Sequence, residues 1–201
     1  MNLFYNLQGI GDTLILSIKD IPQECRTFDK MGDVVRIVDS KSDETIGYNI
    51  FRASTYGNIH ANGAVELTTE MKELITRAFD QNGVKDQIEL EQHPAFVVGY
   101  VEAIEKHPNA DKLNVCQVNV GKEMLQIVCG AQNVDQGQKV VIALTGAVMP
   151  SGLVIKETVL RGVESSGMIC SAKELALPNA PEEKGILVLD ETYEIGSVFT
   201  K

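Results

Sequence analysis

The sequence predicts a mainly β protein of two domains: an α+β domain over residues 1–92, then a small barrel over 93–201. Three observations predict it. Short apolar runs alternate with corners rich in Gly, Pro, Asn, Asp and Ser along both halves. Only one stretch carries a helical apolar period. A length of 201 residues is comfortable for two domains of ordinary size.

In the first half, runs at 3–7 and 14–18 flank Gly9-Ile10-Gly11-Asp12, the composition of a hairpin turn. Val34 to Val38 and Ile46 to Phe51 are two more strands, divided by the polar loop Asp39 to Glu44. Leu67, Met71, Leu74, Ile75, Ala78 and Phe79 then form one apolar stripe at helical spacing, stopped by Asn82-Gly83, which predicts a helix over 66–82. Laid on a four-stranded antiparallel sheet, it completes a small α+β domain. The polar stretch Lys85 to Gln92, ending at His93-Pro94, reads as a linker.

In the second half, Phe96 to Ile104 is a strand broken by His107-Pro108-Asn109. Leu113 to Val120 and Leu125 to Cys129 form a hairpin about Gly121-Lys122-Glu123. Further strands fall at 140–144, 168–171 and 186–189. Five or more short strands with Gly-rich corners favour a small barrel over a sandwich.

Composition narrows the function. The formal charge of -10 argues against a protein that coats nucleic acid by bulk counterion release. Within 139–173, however, Lys139, Lys156, Arg161 and Lys173 outnumber Glu157 and Glu164, and screening over about 8 Å lets such a patch act locally. No apolar run approaches a membrane span and the start lacks a signal-like stretch, so a cytoplasmic location with no membrane partner is expected. Cys25, Cys116, Cys129 and Cys170 lack metal spacing and read as reduced structural thiols, so no metal and no cofactor is expected. His60, His93 and His107 lie in unrelated contexts and read as loop residues.

The chemistry concentrates in loop blocks between 107 and 175. Asn109 and Asp111 can bond back to their own backbone and stiffen a turn, and Lys112 beside them offers a point charge suited to phosphate. In 161–168, Gly162 and Gly167 let backbone come close to a ligand, Ser165 and Ser166 offer hydroxyls, and Arg161 offers a fork matching phosphate. The bland alternative pairs Arg161 with Glu164 and sends Met168 into the core. No histidine base stands near either serine in the sequence, so neither reads as a nucleophile. Between Val101 and Thr192 there is no Phe, Tyr or Trp. Single-stranded bases would find no aromatic platform there, whereas the backbone, 2′-hydroxyls and shape of a folded RNA remain legible.

Taken together, His107 to Leu113, Ile127 to Asn133, Gly146 to Pro150, Leu160 to Ser171 and Lys173-Glu174-Leu175 resemble, in order and spacing, one known family. It is the tRNA-binding domain shared by the amino-terminal part of the bacterial phenylalanyl-tRNA synthetase β chain, small free-standing bacterial tRNA-binding proteins and appended domains of some eukaryotic synthetase complexes. The resemblance covers about 95–201. It implies a five-stranded OB-fold barrel that engages the outside of a tRNA, with contacts at Ser165 and Met168 and at the Asn109–Lys112 turn. With the patch residues, the expected RNA-binding set is Asn109, Lys112, Arg161, Ser165, Ser166, Met168, Ser171 and Lys173.

The expectation is a non-catalytic tRNA-binding protein, with a homodimer left open. Two alternatives stand beside it. One is a tRNA-editing or tRNA-modifying accessory enzyme whose site lies in the first half, with Asp12, Asp33, His60 and Asn62 as thin candidates. The other is an OB module that has lost RNA and binds a protein partner.

Overall fold

A computed structural model describes residues 1–90 and 94–200. The chain divides into two compact units, residues 1–93 and 94–201. No helix among the described residues is long and apolar enough to cross a membrane.

The first unit is a single antiparallel sheet with a helix. Its elements are β1 (Asn2–Asn6), the short turn of helix α1 (Leu7–Ile10), β2 (Gly11–Ser17), β3 (Arg26–Met31), β4 (Val34–Asp39), β5 (Thr45–Phe51), β6 (Gly63–Val65) and α2 (Thr69–Asn82). The strands lie in the order β3-β4-β5-β2-β1-β6. Four strands were expected; six are present, because β3 is exposed along its length and β6 spans only three residues. Neither shows the apolar alternation that marks a half-buried strand. The Gly9 corner also differs: the Asn6 side chain accepts from the Gly9 amide and nucleates α1 in place of a tight turn.

Helix α2 begins where Thr68 caps the Met71 amide and ends at Gly83, which adopts the left-handed conformation of a C-cap. Its stripe of Met71, Leu74, Ile75, Ala78 and Phe79 is buried in one core with Leu3, Leu14, Leu16, Tyr48 and Ile50 from the strands. The rings of Tyr48 and Phe79 meet at 4.8 Å.

Residues 84–90 depart from the linker expectation. Val84 is buried, Ile88 and Leu90 pack against the same core, and the Tyr48 hydroxyl donates to Asp86 at 2.6 Å. The alternating Val84, Asp86, Ile88, Leu90 pattern is short and diluted by charge, so the segment looks like a tether although it closes the core. Glu91, Gln92 and His93 lie outside the described residues.

The two front-half carboxylates raised as catalytic candidates are structural anchors. Asp12 accepts from Tyr5, from the Ser54 amide and from the Ser54 hydroxyl at 2.6 Å. Asp33 accepts from both prongs of the Arg52 guanidinium and from Tyr56. Together they pin the turn 52–56 against the sheet. His60 and Asn62 are exposed, and neither bonds to these carboxylates among the described residues.

The second unit comprises β7 (Phe96–Lys106), β8 (Asn114–Asn119), β9 (Met124–Cys129), β10 (Lys139–Ala143), β11 (Thr158–Leu160), β12 (Val163–Ser165), β13 (Met168–Ile169) and β14 (Val188–Leu189). The order β13-β10-β7-β8-β9 forms a nearly closed five-stranded barrel, as expected, with β14 also paired to β10. Val101, Cys116, Val118, Ile127, Val140 and Ile142 fill its interior. Strands β11 and β12 were not foreseen: the Leu160–Ser171 block reads as loop but begins with a hairpin.

Acid should test the Asp12 and Asp33 anchors. Burial alone would raise Asp12, but hydrogen bonds from Ser54 and Tyr5 outweigh it and hold its pKa below the ordinary 3.8. Arg52, then Tyr56, lower Asp33. A depressed folded-state pKa gives stability that is complete above the unfolded value and is lost as pH falls through the folded one. The near-ultraviolet dichroism of Tyr5, Tyr48 and Tyr56 should therefore melt at constant temperature down to about pH 4 and at falling temperature below it, with a shallower fall in Asp12→Asn.

Candidate nucleic-acid interface

The site is assembled from two loops of the barrel. The first joins β7 to β8. There His107 accepts the Ala110 amide, the Leu113 amide reaches the Ala110 carbonyl, and the His107 amide reaches the Leu113 carbonyl, making a rigid turn that carries Asn109 and Lys112 outward. The second is the β11–β12 hairpin, inserted between β10 and β13. Its strands pair Leu160 with Val163, so only Arg161 and Gly162 turn the chain. Both have positive φ, +48° and +91°, the geometry of a two-residue hairpin turn matched to strand twist. Glycine adopts this freely; an arginine held there is strained by roughly 1 kcal/mol or more and persists because its surroundings fix it.

Those surroundings are the first loop. The Asn109 amide proton is donated to His107 Nδ1 at 3.0 Å, which leaves the His107 proton on Nε2, where it is donated to the Leu160 carbonyl at 3.0 Å. Asn109 Nδ2 in turn donates to the Arg161 carbonyl at 3.1 Å. Two adjacent carbonyls at the hairpin tip are thus held by one turn. His107 is 4% exposed, so its two bonds are partly sheltered from water, whereas the Asn109–Arg161 bond lies at the exposed surface.

The base of the hairpin is fastened to the edge of β9. The Ser166 amide donates to Gln126 O, the Gln126 side chain donates to Glu164 O, and the Val128 amide donates to Ser165 Oγ at 3.0 Å. Ser165 is 3% exposed, in contrast to the surface hydroxyl its loop setting implied. Its oxygen replaces a missing strand partner for Val128.

Beyond β9 opens a groove of about 710 Å³ that brings together Met168, Ser171 and Lys173 with Val128, Glu174 and Lys184. The Ser171 hydroxyl donates to Glu174 and accepts the Glu174 amide, capping the turn that follows. Glu182 and Glu183 line the opposite side. The structure therefore gathers the eight expected residues into two groups joined through β9: Asn109, Lys112 and Arg161 around the clipped loops, and Met168, Ser171 and Lys173 along the groove, with Ser165 and Ser166 between them. Neither Lys112 nor Arg161 forms an ion pair among the described residues, and the Arg161–Glu164 pair of the bland alternative does not occur there.

His107 and Gln126 hold this arrangement together; the sequence reads His107 as a loop residue at the head of the first block and does not single out Gln126. Both act on backbone carbonyls more than thirty residues away, a relation no local pattern reveals. Burial pushes the Cys116 thiol up to about 12 and raises Cys129.

A five-stranded barrel whose β7–β8 and β10–β13 connections meet beside its second and third strands is an OB fold with its ligand loops brought together. The chain belongs to the tRNA-binding-domain family: residues 96–198 match the model described as "Putative tRNA binding domain". Residues 22–91 match a domain of unknown function. Over 199 residues the chain is 59% identical to the "Putative tRNA-binding protein YtpR" of Bacillus subtilis (strain 168), covering 99% of both. Over 117 residues it is 56% identical to the phenylalanine-tRNA ligase beta subunit of Oceanobacillus iheyensis, covering 53% of this chain and 14% of that subunit. Among solved structures it is similar to the C-terminal domain of Plasmodium vivax p43, with 27% identity, a TM-score of 0.38, and coverage of 50% of this chain and 56% of that one.

Two substitutions separate fastening from ligand contact. His107→Phe keeps a planar ring but orphans the Leu160 carbonyl and the Asn109 amide, and should lower stability of the second unit by about 2 kcal/mol. Ser165→Ala strips the Val128 amide of its acceptor and should cost about 1 kcal/mol. Denaturant unfolding monitored by Tyr100 and Tyr193 checks both.

Proposed function

We propose that this chain is a cytoplasmic, non-catalytic tRNA-binding protein that grips the backbone and shape of folded tRNA with its barrel. The observation that supports it most is the pair of clipped loops, which fix the backbone beneath Lys112 and Arg161, two cations with no ion pair among the described residues. Preorganised cations gain the most from meeting a phosphate array, since little ordering is left to offset the attraction. Family membership and the names of the relatives point to the same ligand.

In this reading Lys112, Arg161 and Lys173 meet phosphates, Asn109 and Ser166 contribute polar contact, and Met168 packs on the sugar edge. Ser165 and Ser171 act through the hairpin and turn that they fasten. Glu174, Glu182 and Glu183 in the same groove oppose phosphate, so affinity is modest and each lost cation is felt.

A filter-binding titration with unfractionated tRNA tests this. Binding should be about micromolar at low salt and weaken steeply as salt rises. Arg161→Ala and Lys112→Ala should each reduce the slope of log K against log salt by about 0.7–0.9. No retention of tRNA even at low salt would remove the proposal.

A further inference from the structure

Building on the barrel as an RNA-binding surface, we infer that Gln117 is a specificity-determining residue that recognises ribose 2′-hydroxyls and makes this face prefer RNA to DNA. Gln117 lies on β8 between the fully buried Cys116 and Val118, so its side chain points outward from the barrel. Across the ladder it is in register with Gln126 on β9, and on its other side with Ala103 on β7, whose single methyl leaves it uncovered.

The orientation of its amide follows from one fixed point. The Glu164 carbonyl can only accept, so the group that Gln126 presents to it at 2.8 Å is the amide nitrogen. Gln126 Oε1 must then face the other way, where it accepts from Gln117 Nε2 at 3.1 Å. Gln117 Oε1 is in consequence turned away from the protein, with no donor among the described residues, and one N–H of its amide is also left over. The relay runs from the hairpin through β9 and ends in an outward acceptor beside an outward donor. Such a relay polarises its own members and fixes the last amide in place.

A phosphate does not suit that terminus, because the leading atom is itself an acceptor. An unstacked base would satisfy it, but bases need a stacking platform, and neither residue in register with Gln117, Ala103 or Gln126, carries a ring. A 2′-hydroxyl both donates and accepts, and it is displayed on the shallow minor-groove side of an RNA helix whose phosphates flank it. The loop that carries Lys112 leads directly into β8, and the hairpin tip that carries Arg161 is bonded to that loop, which supplies cations for those phosphates.

The test uses the full chain with a tRNA transcript and the same sequence synthesised entirely in deoxyribose, titrated by fluorescence polarisation at one low salt concentration. Wild type should prefer the ribose form, and Gln117→Leu should weaken that form by about three- to tenfold while leaving the deoxyribose form and the salt slope unchanged. An equal loss on both backbones, no loss on the transcript, or no preference in wild type overturns the assignment of Gln117. Failure of wild type to bind either polymer overturns the tRNA-binding proposal itself, a result distinguishable from the others. The wild-type comparison needs no variant, so the inference stays exposed even if Gln117→Leu folds poorly.

Discussion

The geometry of the site rests on two hydrogen bonds between one turn and one hairpin tip, His107 to Leu160 and Asn109 to Arg161, and on a third within the turn, Asn109 to His107, that sets the imidazole. Each is modest alone, about 1 kcal/mol net. Their arrangement matters more than their sum. A positive-φ arginine at the tip of a two-residue turn is a strained feature, and a β-ribbon whose outer strand is exposed along its length has little packing of its own to hold it. The buried imidazole supplies a rigid partner in a single tautomer, and it joins two OB loops into one surface.

The fastening at β9 extends the same logic. Where β12 runs out of main-chain partners, a serine hydroxyl and a glutamine amide stand in, so the ladder continues through side chains. That substitution explains why residues with the chemistry of ligand contact, Ser165 above all, are spent on architecture. It also leaves the outermost amide of the relay, on Gln117, turned to solvent. Acidic side chains line the same groove, in a chain of overall charge -10.

Much of the architecture was legible from the residues because it follows from periodicity. The α2 stripe, the β8–β9 hairpin and the barrel strands with alternating burial all announce themselves. What escaped was β3, exposed at every residue but Met31, and β11–β12, whose outer strand is exposed throughout and so mimics a loop block. Residues 84–90 escaped for the converse reason, since a few apolar side chains among charges close a core only when a sheet waits for them. The site was legible as a set of residue types but not as roles. Arg161 and Lys112 could be nominated from chemistry, whereas His107 and Gln126 act only on distant carbonyls, and Ser165 could not be told from a surface hydroxyl without knowing that β12 docks on β9.

A turn at Asn109 that positions Arg161 for its ligand couples the two residues in tRNA affinity, which a double-mutant cycle measures. Arg161→Ala should cost clearly less in an Asn109→Ala background than in wild type, with a coupling of about 0.5 kcal/mol or more. Strictly additive losses would contradict the account, because they would mean that the hairpin tip holds its arginine in place without the turn.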